Sequence, residues 1–486
     1  MANTKTPAVS TYQTKMVNLL TSEFDRSPAS GKDTDHLNVF FELIQEKSIN
    51  ENNFYITKRP GVEHYISAVG PNSIRSMYFN NNFQKLYYVV QDDLHVWDVT
   101  TDTSSIIIPA VFGTTTGDVG FTDYLYDNGT QVVIFTDGTT LNQIDSGNSI
   151  TVCADPDLPV PHQPYPVFLD GYLFLLKSDT SDLYNSNLND PMLWTPGDFI
   201  TSEIQPDSAV RPIKVNNYIV VFGTDSIEYF WDAGNTTGSP LQRNDTPVKY
   251  NGFLGAYAQW GNKVYFVGNN VQGQPDVFVL EDLKMDSIGD VTLTRYLSNL
   301  SIPYSSYRGS IVGIAGHVFY ILAAGTLTYV YDLTTKLWCR WAYQQDTKFP
   351  ILDSVNAKTA STYRAFFCLE GSTVYQFSYA VGDDNFVNFT CSGQTDNQMF
   401  DSYNQKTMSR LTVWADKPSA TLSMNLQWTD DDYQTYNTAQ TVNLNQERPS
   451  INRLGRFRRR AFKWSYTGNQ PFRIKGLEVL INLGQN

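Results

Sequence analysis

The sequence has few cysteines and places them far apart. Of its 486 residues only four are cysteine, at Cys153, Cys339, Cys368 and Cys391, and no two of them form a Cys-x-x-Cys pair. Zinc sites and disulfide frameworks need cysteines at close, characteristic spacings. We therefore predict neither, and expect reduced thiols buried in the protein interior.

Long apolar runs are also missing. No stretch approaches the roughly 18 consecutive apolar residues that a membrane-spanning helix requires. The first 30 residues contain no apolar core of the kind found in a secretion signal. We expect neither a membrane span nor classical secretion.

Charged residues are scarce, and basic residues are the scarcer kind. Acidic and basic residues together make up 17% of the chain, and the net charge is -14. A general coat on nucleic acid is not expected from such a chain, because the phosphate backbone would repel it. Solubility is the favoured explanation of the acidic balance.

No motif for catalysis or cofactor binding is present. The five histidines are scattered without metal-ligand spacing. There is no Gly-x-Ser-x-Gly nucleophile elbow, no phosphate-binding glycine loop and no dinucleotide fingerprint. The sequence thus carries no specific catalytic signal, and we predict no cofactor and no metal site.

Aromatic residues, in contrast, are abundant at 14% of the chain, and they favour pleated surfaces. Residues 213–231 show how they are arranged, as three short strands joined by two tight turns. Asn216 and Asn217 suit the left-handed backbone of a two-residue hairpin. The continuous apolar run at 218–222 indicates a strand buried on both faces.

This unit recurs through the middle of the chain. The centres of its main apolar strands are Tyr88, Ile134, Phe174, Val221, Phe266, Tyr320 and Phe367, at spacings of 46, 40, 47, 45, 54 and 47 residues. A period of about 40–50 residues with several strands each is typical of propeller blades. We predict an all-β fold with a β-propeller of about seven blades. Six is the alternative count, and a stack of β-sandwiches is the competing architecture.

The chain is predicted to have three parts: an N-terminal extended segment with strands at 1–73, the propeller at 74–380, and a C-terminal β-sandwich or barrel-like domain at 381–486 that can pack with residues 1–73. Residues 37–43 alternate as a strand does. The longest polar linker between repeats is 232–251, which contains Pro240 and Pro247. The last domain has five strand candidates, at 408–414, 422–428, 438–444, 457–466 and 472–481.

Three consecutive carboxylates, Asp430, Asp431 and Asp432, lie within residues 429–436. A metal or catalytic role would require them to converge, whereas neighbouring residues of a strand point to opposite faces. The stretch resembles an Asp-box hairpin, with Tyr433 and Tyr436 at the places usually held by Gly and Trp. We favour a structural role in capping the turn over metal binding or catalysis.

One basic cluster stands out, and it consists of Arg453, Arg456, Arg458, Arg459 and Arg460. Arginine binds phosphates through paired hydrogen bonds, so the cluster could contact DNA. It could equally pair with carboxylates of a neighbouring subunit or domain. We favour subunit or domain pairing.

Two parts of the sequence resemble a known family. Residues 37–42, Leu-Asn-Val-Phe-Phe-Glu, are followed by Arg59-Pro60-Gly61, and the Asp-rich hairpin is followed by the arginine cluster. This order is similar to that in the packaged-DNA stabilisation proteins of short-tailed bacteriophages, also called tail nozzle or hub proteins. A propeller between the two ends fits the same family.

The resemblance implies a non-enzymatic structural protein of the virion tail, made in the host cytoplasm. Family members form a hexameric ring below the portal and adaptor proteins, next to tail fibre or spike proteins. The ring retains the packaged double-stranded DNA, which passes through it into the host during ejection.

Two other functions remain open from the sequence. A carbohydrate-binding or carbohydrate-cleaving receptor-recognition propeller would need arginines and carboxylates converging at one rim. The candidate residues for such a site lie near one repeat and are Glu203, Asp225, Glu228 and Arg211. A protein-binding propeller scaffold is the third reading, although Trp-Asp pairs occur in only two repeats, at Trp97 and Trp231.

Overall fold

The computed structural model describes residues 12–17, 19, 34–43, 54–67, 70–314, 316–359 and 362–483. The remainder of the predicted segment 1–73 lies outside the described residues. Contacts divide the chain into two units. The propeller unit comprises residues 64–326 and 350–377, and the composite unit comprises residues 1–63, 327–349 and 378–486. Residues 327–349, which fall inside the predicted propeller segment, belong to the composite unit.

Five strands precede the repeats. They are β1 (Tyr12–Val17), β2 (Asp35–Leu37), β3 (Val39–Leu43), β4 (Phe54–Lys58) and β5 (Gly61–Ile66). The strand predicted at 37–43 is interrupted at Asn38, which has a φ of 58° in the left-handed region and separates β2 from β3.

Five four-stranded antiparallel sheets follow, each made of consecutive strands. Their strands are β6 (Ile74–Asn80), β7 (Lys85–Val90), β8 (Asp93–Asp98) and β9 (Thr103–Ile108); β10 (Gly120–Leu125), β11 (Gln131–Thr136), β12 (Leu141–Ile144) and β13 (Ile150–Val152); β14 (Val167–Leu169), β15 (Tyr172–Leu176), β16 (Asp182–Asn187) and β17 (Asp190–Thr201); β18 (Ala209–Val215), β19 (Tyr218–Gly223), β20 (Ile227–Asp232) and β21 (Leu241–Lys249); and β22 (Phe253–Trp260), β23 (Lys263–Asn269), β24 (Pro275–Glu281) and β25 (Lys284–Ser287).

A short helical connection comes next. The helix α1 (Val291–Ser298) starts after Asp290, whose side chain accepts a hydrogen bond from the Leu293 amide, and a 3-10 turn follows at Tyr304–Ser306. No helix in the described ranges has the length and apolar character needed to cross a membrane.

The sixth and seventh repeats complete the series. Their strands are β26 (Arg308–Ile314), β27 (His317–Ala324), β28 (Leu327–Asp332), β29 (Leu337–Arg340), β30 (Ile351–Lys358), β31 (Tyr363–Leu369) and β32 (Val374–Ser378). The first two strands of the sixth repeat lie in the propeller unit and the last two in the composite unit. The seventh sheet has the order β30-β31-β32-β5, so its outermost strand comes from before the first repeat.

The prediction of a β-propeller is confirmed. Each of the seven predicted strand centres lies in the second strand of its repeat, which is β7, β11, β15, β19, β23, β27 or β31. A ring of sheets buries both faces of each sheet and leaves only short edges. The β5 strand closes the series by supplying the outer edge of the last sheet.

Strand β19 shows why the apolar runs are continuous. Ile219 and Val221 belong to a buried cluster with Phe174 of the preceding sheet. Val220 and Phe222 belong to the next cluster, with Phe266 of the following sheet. Alternate residues point to opposite faces of a strand, so both sets must be apolar. Burying each such side chain contributes about 1.5–3 kcal/mol.

The turn predicted at Asn216–Asn217 is present. Val215 pairs with Tyr218 in register, which leaves a two-residue loop, and Asn216 has a φ of 53°. Asparagine tolerates this left-handed backbone because its short polar side chain bonds locally.

The prediction of a long linker at 232–251 is wrong for its second half. Residues 233–240 are outside any strand, but Leu241–Lys249 forms β21, which pairs with β20 through a register shift between Ile227 and Tyr229. This strand occupies the outer edge of its sheet, where proline and polar residues are tolerated because one edge has no ladder to complete. The polar composition of an edge strand therefore looked like that of a loop.

The composite unit contains the strands after the propeller. They are β33 (Thr390–Gln394), β34 (Lys406–Ala415), β35 (Ser423–Thr429), β36 (Gln440–Asn443), β37 (Ser450–Phe457), β38 (Ala461–Thr467) and β39 (Arg473–Leu483). One sheet has the order β3-β4-β39-β34-β37, and β1 also pairs with β39. The composite unit's part of the other sheet has the order β28-β29-β2-β33-β38-β35-β36.

One predicted strand of this region, 457–466, is in fact the end of one strand and the whole of the next. Strand β37 ends at Phe457 and β38 begins at Ala461, with a bend at residues 458 and 459. The bend lies in the middle of the arginine cluster, so strand alternation does not extend across it.

Candidate functional site

The arginine cluster is divided by burial. Arg460 is 1% exposed, and its guanidinium group forms two hydrogen bonds of 2.7 Å to the carboxylate of Asp430. The guanidinium carbon also lies 4.4 Å from the centre of the Phe457 ring. Arg460 is therefore an internal residue, held between a carboxylate and an aromatic face.

Asp431 is bonded within its own hairpin. Its carboxylate accepts hydrogen bonds from the amides of Thr435 and Gln434, at 2.9 and 3.1 Å, and from the Thr429 hydroxyl at 2.7 Å. The Thr435 hydroxyl also donates to this carboxylate. This bond is the largest cause, and the other bonds add to it, in lowering the pKa of Asp431 to about 2. The arrangement is that of a carboxylate capping a turn.

Asp432 has a third, separate environment. It has a φ of 64° and accepts a hydrogen bond of 2.9 Å from the side-chain amide of Asn397. The three carboxylates of the hairpin are thus engaged with three different sets of partners. Within the described parts of the chain, no three His, Cys, Asp or Glu side chains are grouped so that they could hold a metal ion.

The other four arginines of the cluster are exposed. Arg459 lies 3.7 Å from Asp432 in a half-exposed pair. Arg453, Arg456 and Arg458 form no ion pair with any residue that the structure describes. We call these three residues the arginine patch.

Strand β37 carries Arg453 and Arg456 of the arginine patch, where its pairing with β34 is irregular, and Arg458 lies in the bend that follows. The register shifts between Met408 and Arg410, and Arg453 and Gly455 both have left-handed backbones, with φ of 63° and 82°. A bulge of this kind bends a strand and redirects its side chains. Free guanidinium groups at such a position can bind phosphates or carboxylates through paired hydrogen bonds.

The two N-terminal stretches that carried the family resemblance meet at Arg59. This residue is 1% exposed, and its side chain donates from Nε to the Asn38 side-chain oxygen at 2.9 Å. Its Nη1 and Nη2 donate to the Asp384 carboxylate at 2.9 and 2.5 Å, and Nη2 also donates to the Ala342 carbonyl at 2.8 Å. Arg59 therefore joins all three segments of the composite unit. The sequence contained both halves of the contact, but no signal that named Asp384 as the partner.

The cysteines have no features of nucleophiles. All four are free, and three of them are buried, at Cys339, Cys368 and Cys391. Burial raises the pKa of Cys391 to about 12, so the thiol stays protonated at neutral pH.

The residues considered for a carbohydrate-cleaving site have different environments. Glu228 is fully buried in β20, where it accepts a hydrogen bond from the Ile204 amide at 2.9 Å and faces Arg243 at 3.5 Å. Asp225 is exposed in the turn before β20. Arg211 lines a cavity inside the propeller unit.

That cavity has a volume of about 950 Å³ and is bordered by the first strand of every repeat. Most of its charged residues lie at or near the starts of those strands, as at Arg75, Arg211, Arg308 and Asp353. The sequence analysis did not identify them as a group.

The sequence matches the model of one known protein family. Residues 34–366 match the model of a protein family described as "Bacteriophage P22 Gp10, beta-propeller". A search of curated proteins finds no match.

Several solved propeller structures have a similar fold at low sequence identity. A streptogramin B lyase structure is 8% identical, covering 66% of this chain and 98% of its own, with a TM-score of 0.44. The virginiamycin B lyase from Staphylococcus aureus, solved with selenomethionine, is 7% identical, covering 65% and 98%, with a TM-score of 0.43. The N-terminal domain of Nup159 is 10% identical, covering 71% and 100%, with a TM-score of 0.39.

Proposed function

The chain belongs to the bacteriophage P22 Gp10 β-propeller family, the tail nozzle proteins of short-tailed phages, and on that premise we propose that it forms the channel that retains packaged DNA in the virion and through which the DNA is ejected into the host. The observation that carries the proposal is the family match, which spans residues 34–366 and therefore most of the chain. It includes the Asn38 and Arg59 motifs as well as six of the seven predicted strand centres.

A channel for DNA requires several copies around one axis, and we propose a hexameric ring. The arginine patch supports a role in subunit pairing, because its three exposed guanidinium groups form no ion pair with the described residues, in a chain whose net charge is -14. Opposite charges on neighbouring copies fix the orientation of an interface and discriminate against wrong partners. DNA contact is the alternative for the same residues.

The acidic balance suits a protein through which DNA must move. A lumen rich in arginine and lysine would bind the phosphate backbone and retard its passage. The ring would contact tail adaptor or portal-proximal proteins on one side and tail fibre or spike proteins on another. Its place is the tail of the virion, after assembly in the host cytoplasm.

The experiment that tests this proposal is a mass measurement of the assembled protein. The purified chain is studied by native mass spectrometry, alone and with a tail adaptor protein of the same phage. A closed ring of six copies is expected, at least on the adaptor. A protein that stays monomeric even with the adaptor present would contradict the proposal.

A further inference from the structure

The cavity of the propeller unit is a polar recess lined by the first strands of the seven repeats. Its volume of about 950 Å³ is at the upper end of the range of about 300–1,000 Å³ that is typical of small-molecule sites. All of its lining residues belong to the propeller unit. It is therefore a recess within one copy of the chain.

Positive charge dominates the cavity wall. Four cationic side chains line it, compared with two carboxylates, those of Asp118 and Asp353. The cations are Arg75, Arg211, Lys214 and Arg308. A local cationic surplus in a chain with a net charge of -14 makes the cavity attractive to anions.

The two carboxylates are already bonded. Asp118 accepts a hydrogen bond of 2.8 Å from the Tyr165 hydroxyl. Asp353 accepts one of 2.8 Å from the Met77 amide and another of 2.8 Å from its neighbour, the Ser354 amide. Neither carboxylate neutralises an arginine of the wall through a hydrogen bond or ion pair in the described structure.

Arg75 is likewise satisfied by the protein. Its guanidinium group donates to the carbonyls of Gln91, Thr114, Thr116 and Gly117, at distances of 2.6 to 2.8 Å. The role of Arg75 is to hold the loop before β10.

Arg211 differs from Arg75 because its side chain has no hydrogen-bond partner among the described residues. Its guanidinium carbon lies 3.8 Å from the centre of the Tyr165 ring and 3.9 Å from that of the Tyr257 ring. Its Nε is buried without a partner. These two cation–π contacts restrain the guanidinium group, and its N–H groups, which bond to no described residue, can donate to a ligand.

Arg308 adds a second charge near the same point. It begins β26 on the cavity wall and donates from Nη1 to the Ser305 carbonyl at 2.7 Å. Burial raises the pKa of the Tyr165 hydroxyl to about 12, and the charges of both Arg211 and Arg308 oppose that rise. Both guanidinium groups therefore act on one hydroxyl group.

We propose that the propeller cavity binds a small ligand through an oxyanion group, a carboxylate or a phosphate, which accepts hydrogen bonds from Arg211 beside Arg308. A planar guanidinium group matches both oxyanions with two parallel hydrogen bonds. The carboxylate source would be an acidic sugar, and the phosphate source a phosphorylated metabolite or headgroup.

Calorimetric titration of the full chain at constant ionic strength tests the proposal, with sodium glucuronate, inorganic phosphate and neutral glucose as probes. Glucuronate or phosphate is expected to bind. Arg211→Gln is expected to weaken that binding at least about tenfold, since hydrogen bonds to charged groups contribute about 1.5–3 kcal/mol. The matched control is Arg295→Gln, on α1 outside the cavity, which should bind as the unaltered protein does.

The outcomes separate the ligand sources. Binding of glucuronate alone assigns an acidic sugar, binding of phosphate alone assigns a phosphorylated ligand, and binding of both assigns a site for the bare oxyanion, provided that each depends on Arg211. Absence of binding by both anions overturns the proposal, as does unchanged affinity in Arg211→Gln or glucose binding as tight as that of glucuronate.

A second variant covers the case in which Arg211→Gln does not fold. Arg308→Gln leaves the stack of Arg211 between its two tyrosines in place. It is expected to weaken anion binding several-fold while the melting temperature and elution volume stay unchanged. Anion binding as tight in Arg308→Gln as in the unaltered protein would then overturn the proposal.

Discussion

Arg59 and Asp384 form an ion pair in which neither side chain has any solvent-accessible surface. The two residues come from distant parts of the sequence and meet inside the composite unit. Burying two charges is costly unless they are paired and their remaining hydrogen-bonding groups are satisfied. Here Asn38 and the Ala342 carbonyl complete the guanidinium group's hydrogen bonds. The pair therefore specifies one arrangement of these segments.

Replacing one partner of this pair should be strongly destabilising. Asp384→Asn leaves the buried Arg59 charge uncompensated, and we expect a loss of about 3–5 kcal/mol in the free energy of unfolding. Urea denaturation followed by tryptophan fluorescence measures it. Asp245→Asn is the control, because Asp245 pairs with Arg243 at an exposed position, where a change of about 1 kcal/mol or less is expected. Equal effects of the two substitutions would show that the buried pair has no special role.

Substitutions of Asp431 and Asp432 should have different effects on hydrogen exchange in the hairpin. Asp431→Ala removes the acceptor for the amides of Gln434 and Thr435, so both amides should exchange hydrogen faster. Asp432→Ala, whose side chain is bonded to Asn397 instead, should leave those two rates unchanged. Hydrogen exchange read by mass spectrometry measures both. Protection of the hairpin that depends on added Ca²⁺ would contradict the capping interpretation.

The seven strand centres could be predicted from the sequence because each central strand is apolar on both faces. The runs at 218–222 and at Lys85–Val90 have no polar alternation, and both neighbouring sheets cover them. The outer strands could not be predicted equally well. In β21 the burial alternates irregularly and prolines are tolerated, so its residues have the composition of a loop.

Contacts between residues far apart in the chain could not be predicted from the sequence, for a different reason. The resemblance singled out Asn38 and Arg59, but their hydrogen bond depends on the left-handed step at Asn38 and on Asp384. Similarly, the two tyrosines that contact Arg211 come from neighbouring repeats. The sequence around Arg211 therefore did not identify them as its partners. Both environments are formed by segments that are separated in the sequence.

Asp353 should make stability depend on pH. Burial raises its pKa from the ordinary value of 3.8 to about 6, so between these values the folded state keeps a proton that the unfolded state has lost. The free energy of unfolding should therefore fall as pH rises from about 4 to 6, and this contribution should be level above that range. Because the side chain is partly exposed on the cavity wall, we expect a contribution of about 1–2 kcal/mol.

The measurement is urea unfolding at a series of pH values. Asp353→Asn cannot ionise and should lose this part of the slope, whereas Asp157→Asn, an exposed substitution in the same unit, should retain it. An unchanged slope in Asp353→Asn would show that another group is responsible.

The arginine patch should matter for assembly. Combined Arg453→Gln, Arg456→Gln and Arg458→Gln should reduce ring formation on the adaptor, and added salt should weaken assembly of the unaltered protein, because exposed ion pairs are screened. The control combines Lys336→Gln, Lys358→Gln and Lys417→Gln, which remove the same charge from exposed positions elsewhere. Native mass spectrometry measures the rings, and a titration with a short DNA duplex measures DNA affinity. Normal rings combined with lost DNA affinity would assign the patch to DNA instead of a neighbouring subunit.

The most direct test of the central claim is the amount of nuclease-protected DNA in phage particles assembled with and without this protein. Particles that contain it are expected to retain their packaged DNA, and particles that lack it are expected to lose the DNA through the open tail channel. Adding the purified protein to freshly packaged particles should restore retention. Equal protection of DNA in particles with and without the protein would contradict a nozzle function.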